Sequence, residues 1–342
     1  MTNLQIHKRE TSLDLLRIFA VIAVVFTHVG KSDYSSAIEE VVFSVITRWA
    51  VPCFVMISGR LFLDPEREYS AKKLKNSILH ILIAAVFWNI VYQLLFYWSG
   101  YYEGLNFKGI VYSGALAGPY HFWYIWMIIA LYAITPLLRM LCTKKKLMKY
   151  FIVLFFVAEF LVLYSVHLPA IGDTFSKLLT DAHFHFALGF SGLFILGYYL
   201  YRYRFDKRRR IIIYSLGAIM LVATCIAALF IQRIGSDLTV NDYLSPNIAL
   251  ISVAVFVFFL NSNVNQKISD RAKRVITKVS NCTFGIYLIH ALFIYLLEKS
   301  FLYSNVAPEY IMRPLRTIII FVLSLVVVMI LKRIPWVGIR IS

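Results

Sequence analysis

Charge is what this sequence has least of: Asp, Glu, Lys and Arg make up only 15% of its residues, hydrophobic types make up 60%, and mean hydropathy is +0.72. Soluble domains carry about 25% charged and roughly 45–50% apolar residues, so an ordinary water-soluble chain is excluded. Cysteine is scarce too. The four present (Cys53, Cys142, Cys225, Cys282) lie in or beside apolar runs without metal-ligand spacing, which excludes a disulfide framework and predicts free thiols. No interval between apolar runs is long enough for a soluble domain, the longest being 100–120 and 261–280. Fixed-period repeats and low-complexity tracts are absent as well. A soluble catalytic head anchored by membrane helices is therefore excluded. Residues 1–342 read as a single integral-membrane domain without an appended soluble domain, and any chemistry belongs inside the bundle or at its mouths.

What is there is a series of long apolar runs, such as "IIIYSLGAIMLVATCIAALFI" at 211–231 and "TIIIFVLSLVVVMIL" at 317–331. A helix needs about 20 mostly apolar residues to cross a bilayer. The chain reads as an all-α polytopic bundle of about ten spans: 13–29, 41–63, 76–99, 120–138, 150–166, 183–201, 211–231, 246–260, 281–297 and 314–331. Residues 104–119 suit an interfacial or re-entrant piece.

The net charge of +17 is a topology signal rather than a nucleic-acid footprint. The connections 64–75, 139–149, 202–210 and 261–280 hold 20 Lys and Arg, whereas the alternate connections hold six. Cytoplasmic loops concentrate these residues, so the first set and both termini are expected in the cytoplasm, where Lys8, Arg9, Lys332 and Arg333 agree. Attraction to anionic membrane lipid or to an anionic cytosolic ligand is a second use of the charge. The expected location is the inner or plasma membrane, crossed many times. The first apolar run does not suit a cleaved signal peptide, because Arg17 and His28 interrupt it and no A-x-A site follows.

That run, "LDLLRIFAVIAVVFTH" (13–28), is the most informative stretch. Eleven residues turn a helix to within about 20° of three full turns, so Arg17 and His28 share a face about 16 Å apart along the axis. Asp14 lies close to the same line. Between them the stripe is Ala20, Val21 and Val24, small enough to leave room beside the helix. Two readings stay open for Arg17: a side chain snorkelling to the interface and paired with Asp14, or a cation facing a conduit. His28 is either a hydrogen-bonding residue at the helix end or a functional imidazole.

"RIFAVIAVVFTH" also resembles the first helix of the acyltransferase-3 family of integral-membrane proteins, which carries Arg, ten residues, then His. "VPCFVMISGRLF" (51–62), "YHFWYIWMIIALYAITPLL" (120–138) and "NCTFGIYLIHALFI" (281–294) are similar to later family segments in the expected order. Within the family the chain looks most like stand-alone O-acetyltransferases of surface polysaccharides, such as those modifying enterobacterial common antigen. One departure stands out: many relatives have Arg-x-x-Arg where "AKKLKNSILH" offers Lys72 and Lys75. Lysine supplies charge to a phosphate without the planar fork of arginine. These lysines also suit simple topology charges.

The resemblance implies transfer of an acyl group, typically acetyl, from a cytosolic CoA thioester to a sugar hydroxyl of a surface polysaccharide or lipid-linked glycan. Acyl-CoA is then a substrate; no permanently bound cofactor and no metal are expected. Arg17, Lys72, Lys75 and Arg60 are the candidate donor-binding cations. An extended pantetheine arm fits the Ala20/Val21/Val24 stripe. A neutral imidazole suits removal of a hydroxyl proton near neutral pH, so His28 is the candidate general base, with a transient acyl-imidazole as the alternative route. His290, with Tyr287 and Thr283 on its helical face, and His121 with Tyr124 are candidates for holding the acceptor or the oxyanion. Each also suits a structural role: a buried histidine satisfied by a neighbouring helix, or an aromatic belt that includes Trp123. His183 and His185, two apart, point away from each other on a helix and suit no metal. Glu159 is a buried carboxylate of undecided role. The rival reading is an exporter of polysaccharide or lipid-linked sugar, which needs neither a thioester nor a base.

Overall fold

The computed structural model describes residues 9–30, 37–66, 70–100, 108, 118–165, 189–234, 240–304, 306–335 and 338–342, and every regular element among them is helical. In chain order these are α1 (Thr11–His28), α2 (Ala37–Thr47), α3 (Ala50–Phe62), α4 (Ala71–Trp98), α5 (Trp123–Ala133, entered through a 3-10 turn at Tyr120–Phe122), α6 (Thr135–Leu141), α7 (Lys145–Ser165), α8 (Ser191–Arg202), α9 (Lys207–Arg233), α10 (Pro246–Leu260), α11 (Val264–Lys267), α12 (Asp270–Ser280), α13 (Thr283–Leu297), α14 (Glu309–Leu331) and α15 (Gly338–Ile341).

Among the described residues five stretches are long and apolar enough to cross a membrane: α1, α4, α9, α14, and the combined Ile38–Phe62. Two bent pairs, α5 with α6 at 59° and α12 with α13 at 55°, raise the number to seven. The described residues thus account for five to seven of the ten spans expected. The stretch 246–260 forms a helix of only 15 residues. The spans drawn at 150–166 and 183–201 run into 166–188, which lies outside the described residues together with His183, His185 and most of 104–119.

Two of the breaks have local causes, and the third is tied to a distant helix. Pro136 has no N–H to continue the ladder from α5, and α6 leaves at an angle. Pro52 stands just beyond the Arg48–Trp49 break between α2 and α3. At the α12–α13 bend, Ser280 donates to Asp14 at 2.8 Å and Asn281 accepts from Arg9 at 2.7 Å. The bend is thus pinned to the start of α1.

α1 is the hub. It packs against α2, α3, α10, α12, α13 and α14, and Leu16, Ala20, Val21 and Val25 have no exposed surface. α3 and α8 approach as closely as backbones allow: a Cβ on Gly59 would overlap the Phe194 carbonyl, and one on Gly197 the Met56 carbonyl. The long outer helices instead expose apolar residues, such as Val86 and Ile90 on α4, Val222 and Phe230 on α9, and Ile318 on α14. In a bilayer those side chains face lipid tails, and their exposure carries no penalty.

Candidate active site

The site is built around the two ends of α1. At the Arg17 end a cavity of about 710 Å³ opens among α1, α3, α4, α5 and the α12–α13 bend. Arg17, Lys72 and Lys73 border it with Ser70, Asn76 and His80, and Val24, Val51, Tyr124 and Tyr287 line its far part. Lys72 and Lys73 sit in the first turn of α4, where Ser70 caps the helix by accepting from the Lys73 amide at 3.2 Å. The unsatisfied amides of a helix start add to the lysine charge, and both favour an anion.

Arg17 is the most distant of the cations and donors around Asp14 that bond it. The buried Asp14 carboxylate is held by Arg9 at 2.6 and 2.9 Å and by Ser280 at 2.8 Å, while Arg17 only grazes it at 3.5 Å. The carboxylate is a structural pin between α1 and the α12–α13 bend.

At the other end, His28 lies in a chamber of about 20 Å³ with Thr27, Thr47, Ala50, His121, Trp123 and Tyr243. Val24, Val51, Tyr124 and Tyr287 border this chamber as well as the large cavity, so these four side chains form the partition between the two spaces. Of the expected stripe on α1, only Val24 borders the open space; Ala20 and Val21 are packed shut by neighbouring helices, whose approach their small size permits.

Two imidazoles, His28 and His121, line the chamber, and a third, His290, packs against both. The ring centre of His290 is 5.5 Å from that of His28 and 4.9 Å from that of His121. His290 Nδ1 lies 2.7 Å from the Tyr287 carbonyl, which can only accept, so Nδ1 carries the hydrogen. In the neutral ring Nε2 is then a lone pair, buried and without a partner. Both ring nitrogens of His121 are buried too, near the Leu288 backbone but with no well-formed hydrogen bond. Buried polar atoms are nearly always well hydrogen-bonded, so under-satisfied nitrogens on His121 at the chamber and on His290 behind it suit a polar ligand there. The backbone beneath is firmly held. The Tyr287 hydroxyl donates to the His121 carbonyl, and the Tyr92 hydroxyl donates to the Leu288 carbonyl at 2.9 Å. Among the described residues no group of three His, Cys, Asp or Glu is placed to hold a metal ion.

The structure thus gathers Arg17 and Lys72 at one space, His28 and His121 at the other, with His290 against both imidazoles and Tyr124 and Tyr287 between the spaces. Thr283 lines the large cavity and gives its hydroxyl hydrogen to the Ser280 carbonyl. Lys75 is exposed and outside the cavity lining, where Lys73 stands instead. Arg60 is 5% exposed, lies 4.0 Å from the Tyr201 ring centre and 3.5 Å from Glu10, and borders neither space. Glu159 is buried on α7, also away from both. Lys73, Asn76 and His80 on α4, and Thr27 and Thr47 beside His28, are further lining groups; a helical-wheel reading of α4 marks the first three as one face.

A helical membrane bundle with a basic cavity leading toward an imidazole chamber suits a membrane-embedded transferase. The Acyltransferase domain family model (acyltransferase-3) matches residues 10–333, so the chain belongs to that family of membrane acyltransferases. Neither the curated proteins nor the solved structures compared with the chain give a match.

Proposed function

We propose that this membrane acyltransferase moves an acyl group, acetyl in the first instance, from a cytosolic CoA thioester to a hydroxyl of a surface glycan or lipid-linked glycan precursor. The observation that carries the reading is the pair of spaces sharing one partition: a roomy basic cavity at Arg17, and a small chamber at His28 just past Val24, Val51, Tyr124 and Tyr287. Donor phosphates suit Arg17, Lys72 and Lys73 at the wide end, and a thin pantetheine arm suits the narrow one. The topology that goes with this has ten spans, both termini in the cytoplasm and the chamber toward the far side of the inner or plasma membrane.

In this mechanism His28 takes the proton of the acceptor hydroxyl as its oxygen bonds to the thioester carbon. The carbon–sulfur bond then breaks, the sulfur leaves with the electron pair, and the proton passes from His28 to give the free CoA thiol. In this reading an N–H of His121 faces the developing oxyanion, and the His290 Nε2 lone pair accepts the N–H of His28, which leaves the other His28 ring nitrogen for the acceptor hydroxyl. Packing around the chamber excludes the water that would waste the thioester. The acceptor's identity as a glycan, of the kind O-acetylated in surface polysaccharides, rests on the family resemblance.

The test follows label from radioactive acetyl-CoA into the glycan fraction of membranes holding wild type or His28→Ala. Transfer that vanishes in the variant, with the inserted protein unchanged, supports the reading. Near-normal transfer by His28→Ala removes the histidine from the chemistry. Failure of wild type with acetyl-CoA and succinyl-CoA alike favours the exporter.

A further inference from the structure

His28 is the last residue of α1, and the last carbonyls of a helix have no partner within it. Here those carbonyls are taken up by two arginines from α14, more than 280 residues away. Arg313 donates through Nε to the Phe26 carbonyl at 3.2 Å, and its Nη2 lies 3.5 Å from the Thr27 carbonyl. Arg316 donates through Nη1 to the Val29 carbonyl at 3.0 Å. Three carbonyls flanking His28, those of Phe26, Thr27 and Val29, are thereby bound to two guanidinium groups.

Both arginines are held in turn. Arg313 is 3% exposed, pairs with Glu40 at 3.1 Å and lies over the Phe43 ring at 4.9 Å. Arg316, 1% exposed, makes a two-pronged pair with Glu309 at 2.6 and 3.0 Å and donates to the Leu302 carbonyl at 2.8 Å. Gly30 completes the arrangement: its φ is not positive, yet a Cβ there would overlap the Arg313 guanidinium. Its lack of a side chain serves close approach.

Topology does not explain these cations, because on the proposed orientation they occupy the side where Lys and Arg are rare. Dehydrating two guanidinium groups is costly, so such residues inside a bundle are kept for a task. A positive charge at a helix C-terminus is favourable, and the planar fork of arginine holds two carbonyls in a fixed geometry that a flexible ammonium does not.

We infer that Arg313 and Arg316 are positioning residues: they clamp the C-terminal turn of α1 and so fix His28 against His121 and His290. The inference rests on His28 being the base, and the arginines themselves touch no substrate. The test uses the full chain with Arg313→Lys and Gly30→Ala, both milder than removing the fully buried Arg316. A displacement of about 1 Å at a reacting group costs on the order of 100-fold in rate. For both variants kcat for acetyl transfer is expected to fall at least about tenfold while KM for acetyl-CoA stays within about twofold. Backbone amide exchange over residues 25–29 should quicken, with 15–22 unchanged. Wild-type kcat and exchange in both variants would overturn the clamp, as would parallel loss of kcat, donor affinity and inserted protein. If wild type transfers no acyl group at all, the acyltransfer reading fails, and amide exchange alone still decides whether the arginines hold the helix end.

Discussion

At its Arg17 end α1 borders a wide cavity with a basic mouth and largely apolar walls; eleven residues on, at His28, the space shrinks to about 20 Å³ and the polar atoms around it are buried. The first end is assembled from long flexible side chains and a helix start, a means suited to holding several negative charges without fixing them exactly in place. The second is assembled from rings and helix ends locked by buried hydrogen bonds. A substrate's anionic handle tolerates displacement, whereas a proton transfer does not. The two ends therefore fail differently when disturbed, and that difference is what variants can break or sharpen.

The largest effect is expected at His28. General-base catalysis contributes about 10²–10⁴-fold, so His28→Ala should lose that much acyl transfer while donor binding, measured by titration with a non-transferable CoA thioether, stays intact. Next comes the partition: Val24→Phe places a ring between the two spaces and should cut transfer about 100-fold by displacing the thioester, with affinity for free CoA little changed. Equal loss of CoA affinity would mean that the spaces are one. Arg17→Ala should act in the opposite sense. A charge-assisted hydrogen bond contributes about 1.5–3 kcal/mol, so donor Kd should rise roughly 10–100-fold with a smaller change in kcat. The smallest effect separates two neighbours on α4. Exposed charges act weakly and are screened, so Lys73→Ala should weaken CoA binding about twofold to fivefold at low salt and less at high salt. Lys75→Ala, outside the lining, should leave CoA binding unchanged under both conditions.

Some of this was legible along the chain. Arg17 and His28 share a face because helical periodicity is a local property, and their polarity stands out against an apolar run. Arg60 and Lys75 show the limit of such reasoning. Their charge and place at a helix end are readable, but which way each helix turns them is set by neighbours distant in sequence: Arg60 faces Tyr201 and Glu10, and Lys75 faces away from the cavity. Arg313 and Arg316 sit at the boundary between a loop and a span, where a charge reads as an ordinary terminus. The available signal was Glu309 seven residues before Arg316, on the same helical face, together with arginine on the side of the membrane where it is rare.

By itself the sequence determined that this is an all-helical membrane protein, because lipid leaves a spanning backbone no hydrogen-bond partner but itself and apolar length can be read off directly. It also determined that one helix carries a cation and an imidazole on a common line. Only the tertiary structure decided that the line opens into two unequal spaces and that Asp14 belongs to Ser280, 266 positions away. It alone brought Arg316 to the carbonyl beside His28 across 287 positions. The physical reason is that periodicity fixes what a helix offers on each face, while close packing among many helices fixes which of those faces meet.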